Sequence, residues 1–130
     1  MDERDDPVCR VEVSRSDAAI ILTVEGQLDA ATVGDFEPPL VQAVESGENV
    51  IVDLSACTFI DSAVIAAIVL AKRCMKPAGA SLRLVGGEVS QPLRALEITG
   101  LQGQVAVFPT LAAAVHGSNG SGRKQASAGE

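Results

Sequence analysis

Hydrophobic and polar positions change period along this chain, and the changes mark its elements. Val8 to Ser14 alternates and Ala18 to Val24 reads A-A-I-I-L-T-V, with Arg15, Ser16 and Asp17 as turn chemistry between them, which predicts an opening hairpin. Asn49 to Leu54 (N-V-I-V-D-L) is a continuous β-branched run of the kind a strand covered on both faces needs. Leu82 to Val85 and Val105 to Phe108 are similar, so all three read as inner strands. Helical stretches fall at Pro38 to Glu45, Ser62 to Met75, Ser90 to Thr99 and Thr110 to His116, the last stopped by Gly117. The order ββαβαβαβα predicts a single α/β domain: a mixed, mostly parallel five-stranded sheet with right-handed crossovers, an antiparallel edge hairpin and four helices.

Thr32 with Asp35 three residues on has the look of a capping box, yet Pro38 and Pro39 follow within two turns. Each proline removes a helical donor, and Glu37 before a proline is pushed from the α region. The expectation is therefore a turn or irregular start at Thr32 to Glu37 and regular helix only from about Pro38. Residues 1–7 and Gly117 to Glu130 carry no apolar periodicity, so the domain is expected at 8–116 with disordered ends.

Composition narrows the function. At 47% apolar and 21% charged, the 130 residues suit one soluble globular domain, and no aliphatic run reaches the roughly 20 residues of a membrane span. Three Phe and no Trp or Tyr leave no stacking platform for bases. The net charge of -7 is uneven: residues 8–61 hold ten acids against two Arg, while residues 62–116 hold two acids against five Lys or Arg. An acidic first half repels nucleic acid and anionic membranes and suits a protein partner. The acidic start MDERDDP resembles neither a signal nor a transit peptide, which makes the cytoplasm the expected compartment.

Cys9, Cys57 and Cys74 form no C-x-x-C pair, so no zinc site, other metal or cofactor is expected, and the thiols read as buried and inert. A helix from Ser62 to Cys74 would set its two ends about 18 Å apart, which argues against a bridge between Cys57, just before that helix, and Cys74 within one chain. Thiol control of partner binding stays open.

Most informative is Thr58 to Met75. Phe59 and Ile60 follow the central strand, Asp61 and Ser62 stand where a helix begins, and Ala63 to Ala71 contain no polar side chain. An all-apolar half-helix is either covered by a neighbour or offers a docking face. Ser62 or Asp61 could cap the helix, worth about 1 kcal/mol. Alternatively, a serine at the carboxyl end of a parallel strand is an exposed phosphoryl acceptor whose phosphate would sit at the positive end of the helix dipole.

The combination of G-Q-L-D (Gly26 to Asp29), V-D-L-S (Val52 to Ser55), F-I-D-S (Phe59 to Ser62) and I-T-G-L (Ile98 to Leu101) resembles the STAS domain of bacterial anti-sigma factor antagonists over about residues 8–116. The resemblance implies a non-enzymatic partner switch. The unmodified protein would bind an anti-sigma factor, often a serine kinase using ATP, and so free a sigma factor for transcription. Phosphorylation of Ser62 would release the anti-sigma factor, and a phosphatase would restore binding. Ser62 takes the acceptor position, with Asp29, Asp61, Ala63 and Val64 as partner-binding positions, in a monomer or weak dimer. Where the family pattern is D-S-S-G-L-G, this chain has Ala63, Val64 and Ala66, and Gln27 replaces the Glu of G-E-L-D. These departures keep in view a structural subunit of a stress-signalling assembly or membrane transporter that is never phosphorylated; a nucleotide or small-ligand sensor is a further alternative, because open α/β sheets place ligands outside the strand carboxyl ends. Asp53 at a strand end suggests a receiver-like phosphoacceptor, but no acidic pair follows Val13 and Pro109 stands where a Lys is needed.

Overall fold

Strand alternation gives the sheet two unequal faces, and the larger one carries the core. The computed structural model describes residues 9–16, 19–75, 79–86 and 105–116. Its five strands lie in the spatial order β1 (Arg10–Arg15), β2 (Ile20–Leu28), β3 (Val50–Ile60), β4 (Leu82–Val85) and β5 (Ala106–Phe108), with β1 antiparallel to β2 and every other pairing parallel. On one face Leu22, Val24, Val50, Val52, Leu54, Leu82 and Leu84 pack beneath α1 (Val33–Glu45) and α2 (Ser62–Met75). On the other, Ala19, Ile21, Ile51 and Val85 meet Ala114 of the six-residue α3 (Leu111–His116). A mixed five-stranded α/β sheet with an antiparallel edge hairpin is thus what forms. The expected helix at Ser90 to Thr99 and the expected disordered ends lie outside the described residues, among which three helices occur. No helix among the described residues is long and apolar enough to cross a membrane.

Three expectations need correction. Val105 to Phe108 is not an inner strand: β5 is the far edge of the sheet, only three residues long, and its side chains are at most half-buried. The strands β2 and β3 run beyond Val24 and Leu54, to Leu28 and Ile60, because they continue to pair with one another. Finally, α1 begins at Val33, with both prolines inside it. The cause is packing: Phe36, Leu40 and Ala43 fall on one i, i+4, i+7 stripe and are buried against the sheet, Phe36 completely. Burying Phe36 and Leu40 is worth roughly 1.5–3 kcal/mol each, which offsets at least half of a penalty of about 3 kcal/mol for each of the two interior prolines. The carbonyls that lose a donor belong to Gly34 and Asp35, both exposed residues, which lowers the cost of leaving them without one.

Candidate functional site

Two of the sequence motifs act as spacers that decide where the central strands end. From Ile20 opposite Val50 to Thr23 opposite Asp53 the pairing of β2 with β3 is regular. β3 then gains one residue before Glu25 meets Ala56, and a second before Gln27 meets Phe59. Extra residues of this kind bend a strand and re-aim the side chains beyond them. The V-D-L-S segment holds the first irregularity: Asp53 Oδ1 accepts the Ser55 N–H at 3.0 Å and the Ser55 hydroxyl at 2.6 Å. At the second, the Thr58 hydroxyl donates to the Gly26 carbonyl at 3.1 Å, and Gly26 takes φ 97°, a conformation that a side chain would strain. Leu28 consequently ends level with Ile60, and the Asp61 N–H donates to the Leu28 carbonyl at 3.2 Å. Asp29 and Asp61, thirty-two positions apart in sequence, leave adjacent strands side by side at the carboxyl end of the sheet.

From there α2 begins. Asp61 Oδ1 accepts the Val64 N–H at 3.0 Å and the Asp61 carbonyl accepts the Ile65 N–H at 3.2 Å, so Asp61 is the cap. Ser62, the first helical residue, is exposed, and its hydroxyl has no partner among the described residues. The N–H groups of Ser62 and Ala63 belong to the first turn, where a helix offers no acceptor of its own. Ala63 is exposed beside them, whereas Val64 is only 1% exposed and packs into the core, which removes its bulk from the surface. Asp29 is half-buried, and its Oδ1 accepts the N–H groups of Ala31 at 2.9 Å and Thr32 at 3.2 Å, forming the turn into α1. The Thr32 hydroxyl ties that turn to β2 by donating to the Gln27 carbonyl at 2.6 Å, in place of the capping box its spacing suggested.

Phe59, 39% exposed at the same end of β3, was not singled out from sequence. Once Ile60 is buried, strand alternation turns Phe59 outward, but that signal depends on β3 extending past Leu54.

The remaining chemistry is accounted for structurally. Asp53 is buried and committed to Ser55, unlike an open phosphoacceptor. Cys9 and Cys57 are buried, and burial raises both thiols. Desolvation, with the nearby charges of Asp35, Cys57 and Asp29, pushes Cys9 up to about 11. Cys74 departs from the expectation of a buried thiol: it is exposed, four positions beyond Leu70 on the outer stripe of α2. No group of three or more His, Cys, Asp or Glu among the described residues is placed to hold a metal ion.

The family model described as STAS domain matches residues 10–114. No curated protein matches the chain. Among solved structures, the fold is similar to that of an anti-sigma factor antagonist from Mycobacterium paratuberculosis, with a TM-score of 0.79 at 20% identity over 86% of this chain and 95% of that one. It is similar to SpoIIAA of Bacillus in its unphosphorylated form, with a TM-score of 0.68 at 14% identity over 88% and 100% of the two chains. Part of the murine Solute Carrier 26 family member A9 anion transporter is also similar, with a TM-score of 0.58 at 17% identity, covering 88% of this chain and 22% of the transporter.

Proposed function

Because the chain belongs to the STAS domain family, we propose that it is an anti-sigma factor antagonist, binding an anti-sigma factor while the Ser62 hydroxyl is free and releasing it once Ser62 is phosphorylated. The supporting observation is the division of labour at the start of α2: Asp61 supplies the cap, and the exposed Ser62 is left without a structural task among the described residues. Because Asp61 already accepts the Val64 N–H, modifying the Ser62 hydroxyl removes no hydrogen bond among the described residues.

The switch is electrostatic. A phosphate adds about -1.5 to -2 at neutral pH beside Asp61 and close to Asp29, where the N–H groups of the first helical turn stabilise it. In the free protein that charge is solvated. In a docked complex it must be desolvated next to carboxylates and the partner's bound nucleotide, and like-charge juxtaposition costs several kcal/mol. About 4 kcal/mol weakens binding a thousandfold. Catalysis then belongs to the partners, a kinase using ATP and a phosphatase, and the contact surface comprises Asp29, Asp61 and Ala63, with Val64 fixing the helix start from beneath.

The test is binding of Ser62→Ala and Ser62→Asp variants to the anti-sigma factors encoded in the same genome. The Ala variant is expected to bind as the parent does and the Asp variant at least tenfold more weakly. Equal binding by both would favour the structural-subunit reading.

A further inference from the structure

Between α1 and α2, on the side away from the sheet, runs an open groove of about 280 Å³. One ridge is Glu37, Val41 and Glu45, at i, i+4 and i+8 of α1. The other is Ala67, Leu70 and Cys74 of α2. Four large apolar side chains are exposed among the described residues, and two of them, Leu70 at 60% and Val41 at 49%, flank this one groove. Apolar side chains scattered singly need no explanation, but a facing pair over a floor of Leu40, Val44 and Ala71 forms an apolar slot.

We infer that this groove docks an amphipathic helix of a protein partner, one that lays an apolar stripe between Val41 and Leu70 and carries Lys or Arg along one edge, against Glu37 and Glu45. The charges select the occupant. Glu37 and Glu45 are exposed, stand about 12 Å apart along α1, and match basic residues spaced i, i+7 or i+8 on a helix lying alongside. The same carboxylates repel an anionic membrane. A small ligand would find no convergent donors to orient it, since the polar groups of the lining are these two rim carboxylates and the Cys74 thiol. A second copy of the chain would bring its own acidic ridge and a net charge of -7 to the same slot. The inference is independent of Ser62: the groove could hold a helix of the anti-sigma factor or of another protein.

The test uses the full chain and a stapled helical peptide of about 18 residues with Leu at i, i+3, i+4 and i+7 and Lys flanking one edge, compared with the same peptide carrying Glu at the Lys positions. The Lys peptide is expected to shift amide resonances of α1 and α2 and to protect Cys74 from alkylation, and to bind at least about tenfold more tightly than the Glu peptide. The double substitution Glu37→Gln with Glu45→Gln should cost the Lys peptide roughly three- to tenfold and erase most of the difference between the two peptides. Leu70→Asp, at an exposed position that leaves the urea midpoint nearly unchanged, should weaken binding about tenfold or more. The inference is overturned if the Lys peptide leaves these resonances unmoved, if both peptides bind alike, or if sedimentation reveals a dimer that Leu70→Asp dissolves.

Discussion

Asp61 and Ser62 are neighbours with opposite assignments, and stability measurements separate them. Replacing Asp61 by Ala removes the acceptor of the Val64 N–H, a loss of about 1 kcal/mol within a range of roughly 0.5–2, and also removes a negative charge from the positive end of α2, worth about 0.3–1 kcal/mol. The total is about 1–2.5 kcal/mol. Replacing Ser62 by Ala removes an exposed hydroxyl without a partner among the described residues and installs a better helix former, so the change should stay within about 0.5 kcal/mol of zero. With a urea slope near 1–2 kcal/mol per molar for a domain this size, Asp61→Ala should lower the unfolding midpoint by about 1 M while Ser62→Ala hardly moves it. Asp61→Asn keeps the acceptor and loses only the charge, and is expected between the two. The assay is urea unfolding followed by far-ultraviolet circular dichroism at fixed ionic strength. A Ser62→Ala loss as large as that of Asp61→Ala would overturn both assignments, since it would make the serine a cap alongside or in place of Asp61.

Phe36→Ala should cost about 3–5 kcal/mol by opening a cavity under α1, and a loss below 1 kcal/mol would show that Phe36 does not anchor this proline-containing helix. Pro38→Ala, at an exposed helical position, should raise stability by about 2 kcal/mol, the helical penalty less the unfolded-state entropy that proline saves; a lowered urea midpoint would count against this. In native protein, iodoacetamide with mass spectrometry should label Cys74 rapidly and Cys9 and Cys57 only after unfolding. The pH dependence has a definite sign. Cys9 keeps its proton in the folded state up to about 11 against an ordinary value of 9.0, so between these values the folded state holds more protons. Its stabilising share is therefore complete below pH 9 and declines towards pH 11. Cys9→Ala should flatten that decline in unfolding midpoints.

Local pattern went a long way where local physics decides. α2 occupies Ser62–Met75, the bounds its apolar run and the Asp61–Ser62 junction imply, and the β-branched run beginning at Val50 is the middle strand of five. Of the all-apolar stretch Ala63 to Ala71, Val64, Ile65, Ile68 and Val69 are covered by the rest of the fold, whereas Ala63, Ala66 and Leu70 are exposed. What escaped depends on partners distant in sequence. Ser55 to Phe59 carries little strand pattern because it is a bulged edge of the β2–β3 pairing, held by Asp53 and Thr58, and no local rule reports where a parallel neighbour will end. The prolines of α1 carry a cost legible in the local sequence, but the burial that opposes it comes from packing against strands distant in sequence. For the site, the motif placed Ser62, Asp61 and Asp29 at one end of the sheet, whereas the burial of Val64 follows from how α2 packs on the core and the exposure of Phe59 from the strand register.

The proposed partner switch is decided by incubating the protein with ATP and each candidate anti-sigma kinase encoded in the same genome, locating any phosphate by mass spectrometry, and measuring the affinity of both forms for that kinase. Phosphate on Ser62 alone is expected, with an affinity at least a hundredfold lower after modification. Phosphate at another residue, or modification of Ser62 that leaves the affinity unchanged, would rule the switch out.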